Sequence, residues 1–335
     1  MHFVFEYLLF IAEVITILVG MLMFVGGVIA LSKKSKEVDP LSLEIKSIND
    51  KYHQMKLSIL DAVLSKEQLK ELNKEEKKQQ KLKDKEKESN KNRLFVIDFD
   101  GDIKASEVNC LREAVTAILT VATKDDQVLL RLESGGGVVH GYGLAASQLA
   151  RLKSQQILLT IAVDKVAASG GYMMAAVADK IIAAPFAILG SIGVLAQIPN
   201  FHKLLKKYNI DYEQHTAGEY KRTLTLFGEN DDKAREKLQE ELEETHTLFK
   251  SFLLEHRPAL DMEKVATGEH WYGTNALELS LIDEIKTSDD FIMSACDESD
   301  VFEVSVVQHK HWYDKFSDNL TKMAESVVSR FNYGG

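Results

Sequence analysis

The chain has 335 residues, 45% of them apolar, enough to bury a sizeable core and still carry appended segments. A formal net charge of −10 excludes a general nucleic-acid binder, because neutralising phosphates needs a basic face. Two cysteines, Cys110 and Cys296, lie far apart without CxxC spacing, which excludes a disulfide framework or a zinc site; both read as buried small hydrophobes.

Val14 to Ser32, VITILVGMLMFVGGVIALS, carries no charge, and as a helix it covers roughly 28 Å, close to the hydrocarbon thickness of a bilayer. Residues 1–13 contain Glu6 and Glu13 and neither Lys nor Arg, which argues against a cleaved signal peptide, so residues 1–36 are expected to form an uncleaved membrane anchor in contact with lipid. Lys33, Lys34 and Lys36 follow the span, and the positive-inside rule then puts the rest of the chain in the cytoplasm. Residues 37–93 are rich in Lys, Glu and Gln; they read as a charged helical stalk, with apolar spacing in LSLEIKSINDKYHQMKLSILDAVL, fraying into a solvated linker that cannot bury a core.

From Leu94 the texture changes. LFVIDFDG, QVLLRLES and ILLTIAV are short β-branched-rich runs separated by helical stretches such as SEVNCLREAVTAILTVA and YGLAASQLARLKS, a strand-then-helix alternation that predicts an α/β core with parallel pairing over residues 94–300. Glycines gather at the strand ends: Gly135 to Gly137, Gly170 and Gly171, then Gly190 and Gly193. DKAREKLQEELEETHTLFKSFLLEHR predicts a long amphipathic helix with Leu238, Leu242, Leu248, Phe252 and Leu253 available for burial. Residues 301–335 read as a C-terminal extension, with His309 and His311 on an exposed strand face rather than in a metal site.

Three motifs bear on chemistry. Asp98, Asp100 and Asp102 in FVIDFDGD look like a phosphatase DxD, but Asp102 stands where that motif wants Thr or Val, and a turn is the expected role. GYGLAAS from Gly141 fits a degraded dinucleotide fingerprint, yet a glycine loop and His140 precede it, so it reads as a helix start. Ser169 in KVAASGGYMMA sits where a helix begins; its hydroxyl and the Gly170 amide face the same dipole end, which suits a nucleophile beside an oxyanion donor and equally suits an N-cap. A nucleophilic serine needs a base. His140, His202, His215 and His270 remain open, Lys165 belongs to a strand end, and Lys221 in TAGEYKRTLTLFGEN is the more interesting candidate, with small and apolar neighbours to favour the neutral amine.

KVAASGGYMMA, FAILGSIGV and AGEYKRTLTLFGEN, in that order, resemble the signature segments of the signal peptide peptidase A family of bacterial membrane serine peptidases. LRLESGGGVVHGYGLAASQL and ATGEHWYG extend the likeness, which covers nearly the whole chain. The resemblance implies the fold of Clp protease subunits and crotonases, built of repeated ββα units, and a Ser–Lys dyad with Ser169 as nucleophile and Lys221 as general base. It further implies that Ser191 orients the lysine, that the Gly136 and Gly170 amides form the oxyanion hole, and that neither metal nor cofactor takes part.

Peptide substrates, signal-peptide remnants among them, are implied, as is a homo-oligomeric ring whose sites are completed across subunits. So is an inner-membrane location with the catalytic domain on the periplasmic side, which opposes the lysine rule and is the side favoured. One departure stands out: Gly135 occupies the place of a proline that would fix φ before the oxyanion amide. A crotonase-like acyl-CoA enzyme and a non-catalytic membrane scaffold ring are the rival readings.

Overall fold

The structure is a computed structural model that describes residues 42–65 and 92–307 and a few isolated positions outside them. The span 14–32, Lys33, Lys34 and Lys36, the linker at 75–91 and the His309/His311 pair lie essentially outside the described residues, among which no helix is long and apolar enough to cross a membrane. Leu43–Val306 is one compact unit; the other, Met1–Ser42 with Val307–Gly335, falls almost wholly outside the description.

The apolar runs form the strands as expected. Strands β2 (Arg93–Gly101), β3 (Gln127–Ser134), β4 (Leu158–Val163) and β6 (Lys180–Ala183) pair in parallel, with β9 (Glu284–Ile285) beyond β6. On the other side β10 (Asp300–Val307) pairs in parallel with β2, and β1 (Ser42–Ser47) lies beyond it. The folded unit is therefore wider than 94–300. The start of the supposed stalk and of the supposed C-terminal extension are strands of the sheet.

The helix expected in the stalk exists as α1 (Ile48–Val63), capped by the Ser47 side chain, which accepts the Asp50 N–H. Its first turn is docked: the Asn49 amide donates to Cys296 O and Ser299 O and accepts the Val301 N–H at 2.7 Å. Ile48 is buried.

Strand side chains alternate between two apolar layers, as the pleat requires. Phe95, Ile97, Phe99, Val128, Leu130 and Leu132 face a large core shared with helices α2 (Val108–Leu119), α3 (Val139–Ser154), α4 (Gly170–Ala176) and the end of α6 (Asp232–His256). Leu94, Val96, Leu129, Ala162 and Ile182 face a smaller one closed by α1 and a helix at Ser288–Glu298. Each of the Val, Leu, Ile and Phe side chains, fully buried, contributes about 1.5–3 kcal/mol. Neither cysteine is as buried as expected: Cys110 and Cys296 are both only partly covered. In α6 the expected face is covered, with Leu253 buried and Leu238, Leu242 and Phe252 half-buried, except that Leu248 is 71% exposed and Phe249 is buried in its place.

Asp126, 2% exposed, ties the start of β2 to the turn before β3. It accepts the Arg93 N–H and two guanidinium N–H groups, together with the N–H and hydroxyl of Thr123. Burial alone would raise its carboxyl; Arg93 and Thr123 outweigh burial and hold it at about 2 instead of 3.8. A depressed carboxylate stabilises the fold above its unfolded value and stops doing so as pH falls through the folded one. Stability should therefore drop as pH goes from 3.8 to about 2. Asp126→Asn should lower the unfolding free energy at neutral pH by about 3 kcal/mol and flatten that acid limb, read from denaturant midpoints against pH.

Candidate active site

A short branch of the same sheet leaves the end of β3. Strand β5 (Val166–Ala168) pairs with β3 at Ser134↔Ala167 and runs parallel to β7 (Ile188–Gly190), which pairs antiparallel with β8 (His270–Tyr272). Ser169 follows β5 directly and Ser191 follows β7. Because Ala168 stands opposite Gly190, the two serines leave neighbouring strands at the same level.

Both serines have left-handed backbones, with φ of 52° at Ser169 and 51° at Ser191. Such values are uncommon in residues with a Cβ, and the ψ of −118° at Ser169 puts it well outside the helical basin. The Ser169 N–H donates to Gly190 O at 2.8 Å, and Ser169 O accepts the Met173 N–H, so the residue is held from both sides at the start of α4. The N-cap alternative fails here: the Ser169 side chain makes no capping bond.

Gly136 and Gly170 lie close beside Ser169. A methyl on Gly136 (φ +87°) would fall 2.8 Å from both Ser169 Cβ and the Gly170 nitrogen, and one on Gly170 would fall 2.4 Å from Tyr142 Cγ. The Gly136 amide, however, is already engaged: it donates to Ser134 Oγ at 3.1 Å. The amides of Gly137 and Gly170 have no acceptor among the described residues.

Lys221 makes no hydrogen bond to Ser169 or Ser191 among the described residues. It lies in an arm over residues 194–231 that leaves β7 and returns through α6, and it lines an open cavity of about 850 Å³ with His215, Tyr212 and Phe227 that includes neither site serine. The arm packs on itself: Phe201 N–H donates to Leu226 O, and the Phe201 and Tyr212 rings lie tilted against the Phe227 ring. Lys221 itself is exposed, and its ammonium has no hydrogen bond or ion pair among the described residues.

Other sequence candidates find structural roles. Lys165 pairs with Glu133. Asp98 pairs with Arg131, and Asp102 accepts the Lys104 and Ser106 N–H groups, a turn rather than a phosphatase site. GYGLAAS lies in the first turns of α3. His140, His215 and His270 are exposed, His202 is partly covered, and none of the four is bonded to Ser169. What sequence reading missed is the Ser134–Tyr142 pair beneath the glycine loop; an aromatic side chain amid the small residues of HGYGLAAS was its only signal.

Residues 2–149 match Peptidase family S49 N-terminal, and residues 151–301, which carry Ser169, Ser191 and Lys221, match Peptidase family S49. The chain belongs to this peptidase family. Within it, the chain is 50% identical over 337 residues to "Probable protease SohB" of Haemophilus influenzae, covering 97% of this chain and 95% of that one. It is 57% identical over 246 residues to the protein of the same description from Buchnera aphidicola subsp. Acyrthosiphon pisum, 73% of each chain. A solved structure of a 1510-N membrane-bound stomatin-specific protease variant with a substrate peptide matches at 13% identity and a TM-score of 0.44, over 70% of this chain and 100% of that one.

The S49 glycine loop allows a sharp contrast. A methyl on Gly135 would meet nothing within 4 Å, and its φ lies outside the left-handed region, whereas Gly136 is left-handed and crowded by backbone. Gly135→Ala should change stability by less than about 0.5 kcal/mol, and Gly136→Ala should cost about 2 kcal/mol or more, read as denaturation midpoints of the two variants.

Proposed function

We propose that this S49 peptidase is a membrane-anchored serine endopeptidase that works through a Ser169–Lys221 dyad and an acyl-enzyme. The observation that carries the reading is the left-handed Ser169, its hydroxyl free of any capping bond, set against the backbone of Gly136 and Gly170. Strain of this kind costs about 1–3 kcal/mol and persists where surrounding structure over-determines it.

In the proposed reaction Ser169 Oγ attacks the scissile carbonyl carbon while the Lys221 amine takes its proton. The carbonyl oxygen becomes an oxyanion that receives the Gly170 N–H and one amide of the glycine loop. With Gly136 engaged by Ser134, the loop donor is Gly137. Collapse of the tetrahedral adduct breaks the C–N bond, the Lys221 ammonium returns its proton to the leaving amine, and water then hydrolyses the ester by the same steps. Ser191 orients the Lys221 amine. Metal and cofactor have no part in the scheme.

The lack of any hydrogen bond between Lys221 and Ser169 within one chain supports a site completed by a neighbouring copy in a ring. So do the exposed apolar residues of the arm, Leu195, Leu204, Tyr208 and Ile210 among them. The uncharged stretch 14–32 would hold the ring in the membrane, with the catalytic units on the periplasmic side, where signal-peptide remnants and unfolded peptides are the substrates.

Detergent-solubilised full-length protein should acquire one fluorophosphonate adduct per chain, mapped to Ser169 by peptide mass, lost in Ser169→Ala and slowed at least ~100-fold in Lys221→Ala. Co-refolding the two inactive variants in equal amounts should restore about a quarter of parental peptide hydrolysis, since such a mixture rebuilds complete sites only across an interface. An assembled parent that stays unlabelled sinks the enzyme reading and leaves the scaffold ring. A labelled parent whose variants never complement places both dyad members in one chain.

A further inference from the structure

Tyr142, fully buried in the first turn of α3, touches both backbone segments beside Ser169. Its hydroxyl donates to Asp102 O at 2.7 Å and lies 2.5 Å from Ser134 Oγ. Ser134, 2% exposed, accepts the Gly136 N–H. With the phenol proton on the Asp102 carbonyl, the 2.5 Å contact requires the serine proton to be directed at the phenol oxygen, the nearer acceptor, and not at Gly101 O, 3.1 Å away. A one-way chain results, from Gly136 N–H through Ser134 and Tyr142 to the Asp102 carbonyl, and each bond polarises the next. The face of the same ring lies against Gly170, where no Cβ fits.

We propose that Tyr142 is a positioning residue for the oxyanion site: its hydroxyl, through Ser134, fixes the Gly136 peptide, and its ring fixes Gly170, so one side chain sets the spacing between the two donor segments. This rests on the reading of Ser169 as nucleophile. The loop needs such a device. Three successive glycines leave it conformationally free, and the Gly135 N–H has no acceptor among the described residues. Burial pushes the Tyr142 phenol up, which keeps it a proton donor across the neutral range.

The same geometry supplies a rescue. A Gly135 side chain meets open space, its N–H makes no bond, and the preceding residue, Ser134, is in a strand, so proline fits there and fixes the loop independently of Tyr142. Tyr142→Phe in the full-length protein retains the ring. Its kcat for a fluorogenic peptide should fall ~10–100-fold with KM within about twofold, and affinity for a peptide aldehyde, whose hemiacetal carries the oxyanion, should fall in parallel. Adding Gly135→Pro should recover kcat by about tenfold. Ser134→Ala cuts the chain at its other link and should behave like Tyr142→Phe, so it carries the test if the phenylalanine variant does not fold.

Parental kcat in folded Tyr142→Phe and Ser134→Ala, or a loss that proline does not relieve and that follows thermal stability alone, overturns the positioning role while leaving the peptidase reading intact. A parent without Ser169-dependent hydrolysis removes both.

Discussion

The left-handed backbone of Ser169 is the constraint on which the site depends. An L residue at a φ of 52° and ψ of −118° relaxes unless its neighbours forbid it. Here the parallel ladder between β5 and β7 continues one residue beyond the strands through Ser169 N–H to Gly190 O, and α4 begins immediately afterwards, with Gly170 packed so tightly against Tyr142 that no side chain is admitted. Ala167, Tyr172 and Met174 around it are fully buried. Relaxing Ser169 would mean moving a helix and a strand through close-packed core, so the strain stays where it is.

The main body of the sheet exists, in energetic terms, to make that junction immovable. Its strands are tied across by charges as well as by ladder bonds: Arg131 on β3 reaches Asp98 on β2 and Glu303 on β10, so the first and last parts of the unit are clasped at its middle. Arg257, just past α6, makes a two-pronged pair with Asp283, which also accepts the Ile181 N–H of β6. Burial would raise the Asp283 carboxyl, but the guanidinium and the Ile181 amide hold it below the usual range. That clamp and the buried Phe249 and Leu253 root the arm's return helix in the core while the arm itself stays in solvent.

What the sequence revealed and what it concealed follow from the range of the interactions concerned. Strands β2, β3 and β4 are legible because both their faces are buried, so apolar residues run almost uninterrupted. SLEIKS in β1 is mostly polar and gains its place only by lying beside β10, far away in sequence; no local pattern encodes that. The glycines at 136 and 170 were readable as close approaches, and they are. Which amide is engaged was not readable, since it turns on the rotamer of Ser134 and the reach of Tyr142. Leu248 is out of step with Leu238, Leu242 and Leu253 at 100° per residue, whereas Phe249 is in step with them, so the helical period itself selects the phenylalanine for burial.

On the proposed reading, the missing bond between Lys221 and Ser169 within one chain has a physical consequence of its own. A serine hydroxyl without a base beside it is a weak nucleophile. A single chain then carries a strained, preorganised oxyanion site that does nothing to surrounding peptides. In the proposed ring, laying the apolar arm of one copy on another would cover the exposed Leu195, Leu204 and Tyr208, remove water, and supply the base in the same step. Assembly and activation become one event, driven by the same hydrophobic burial, and the strain at Ser169 is already in place before it happens.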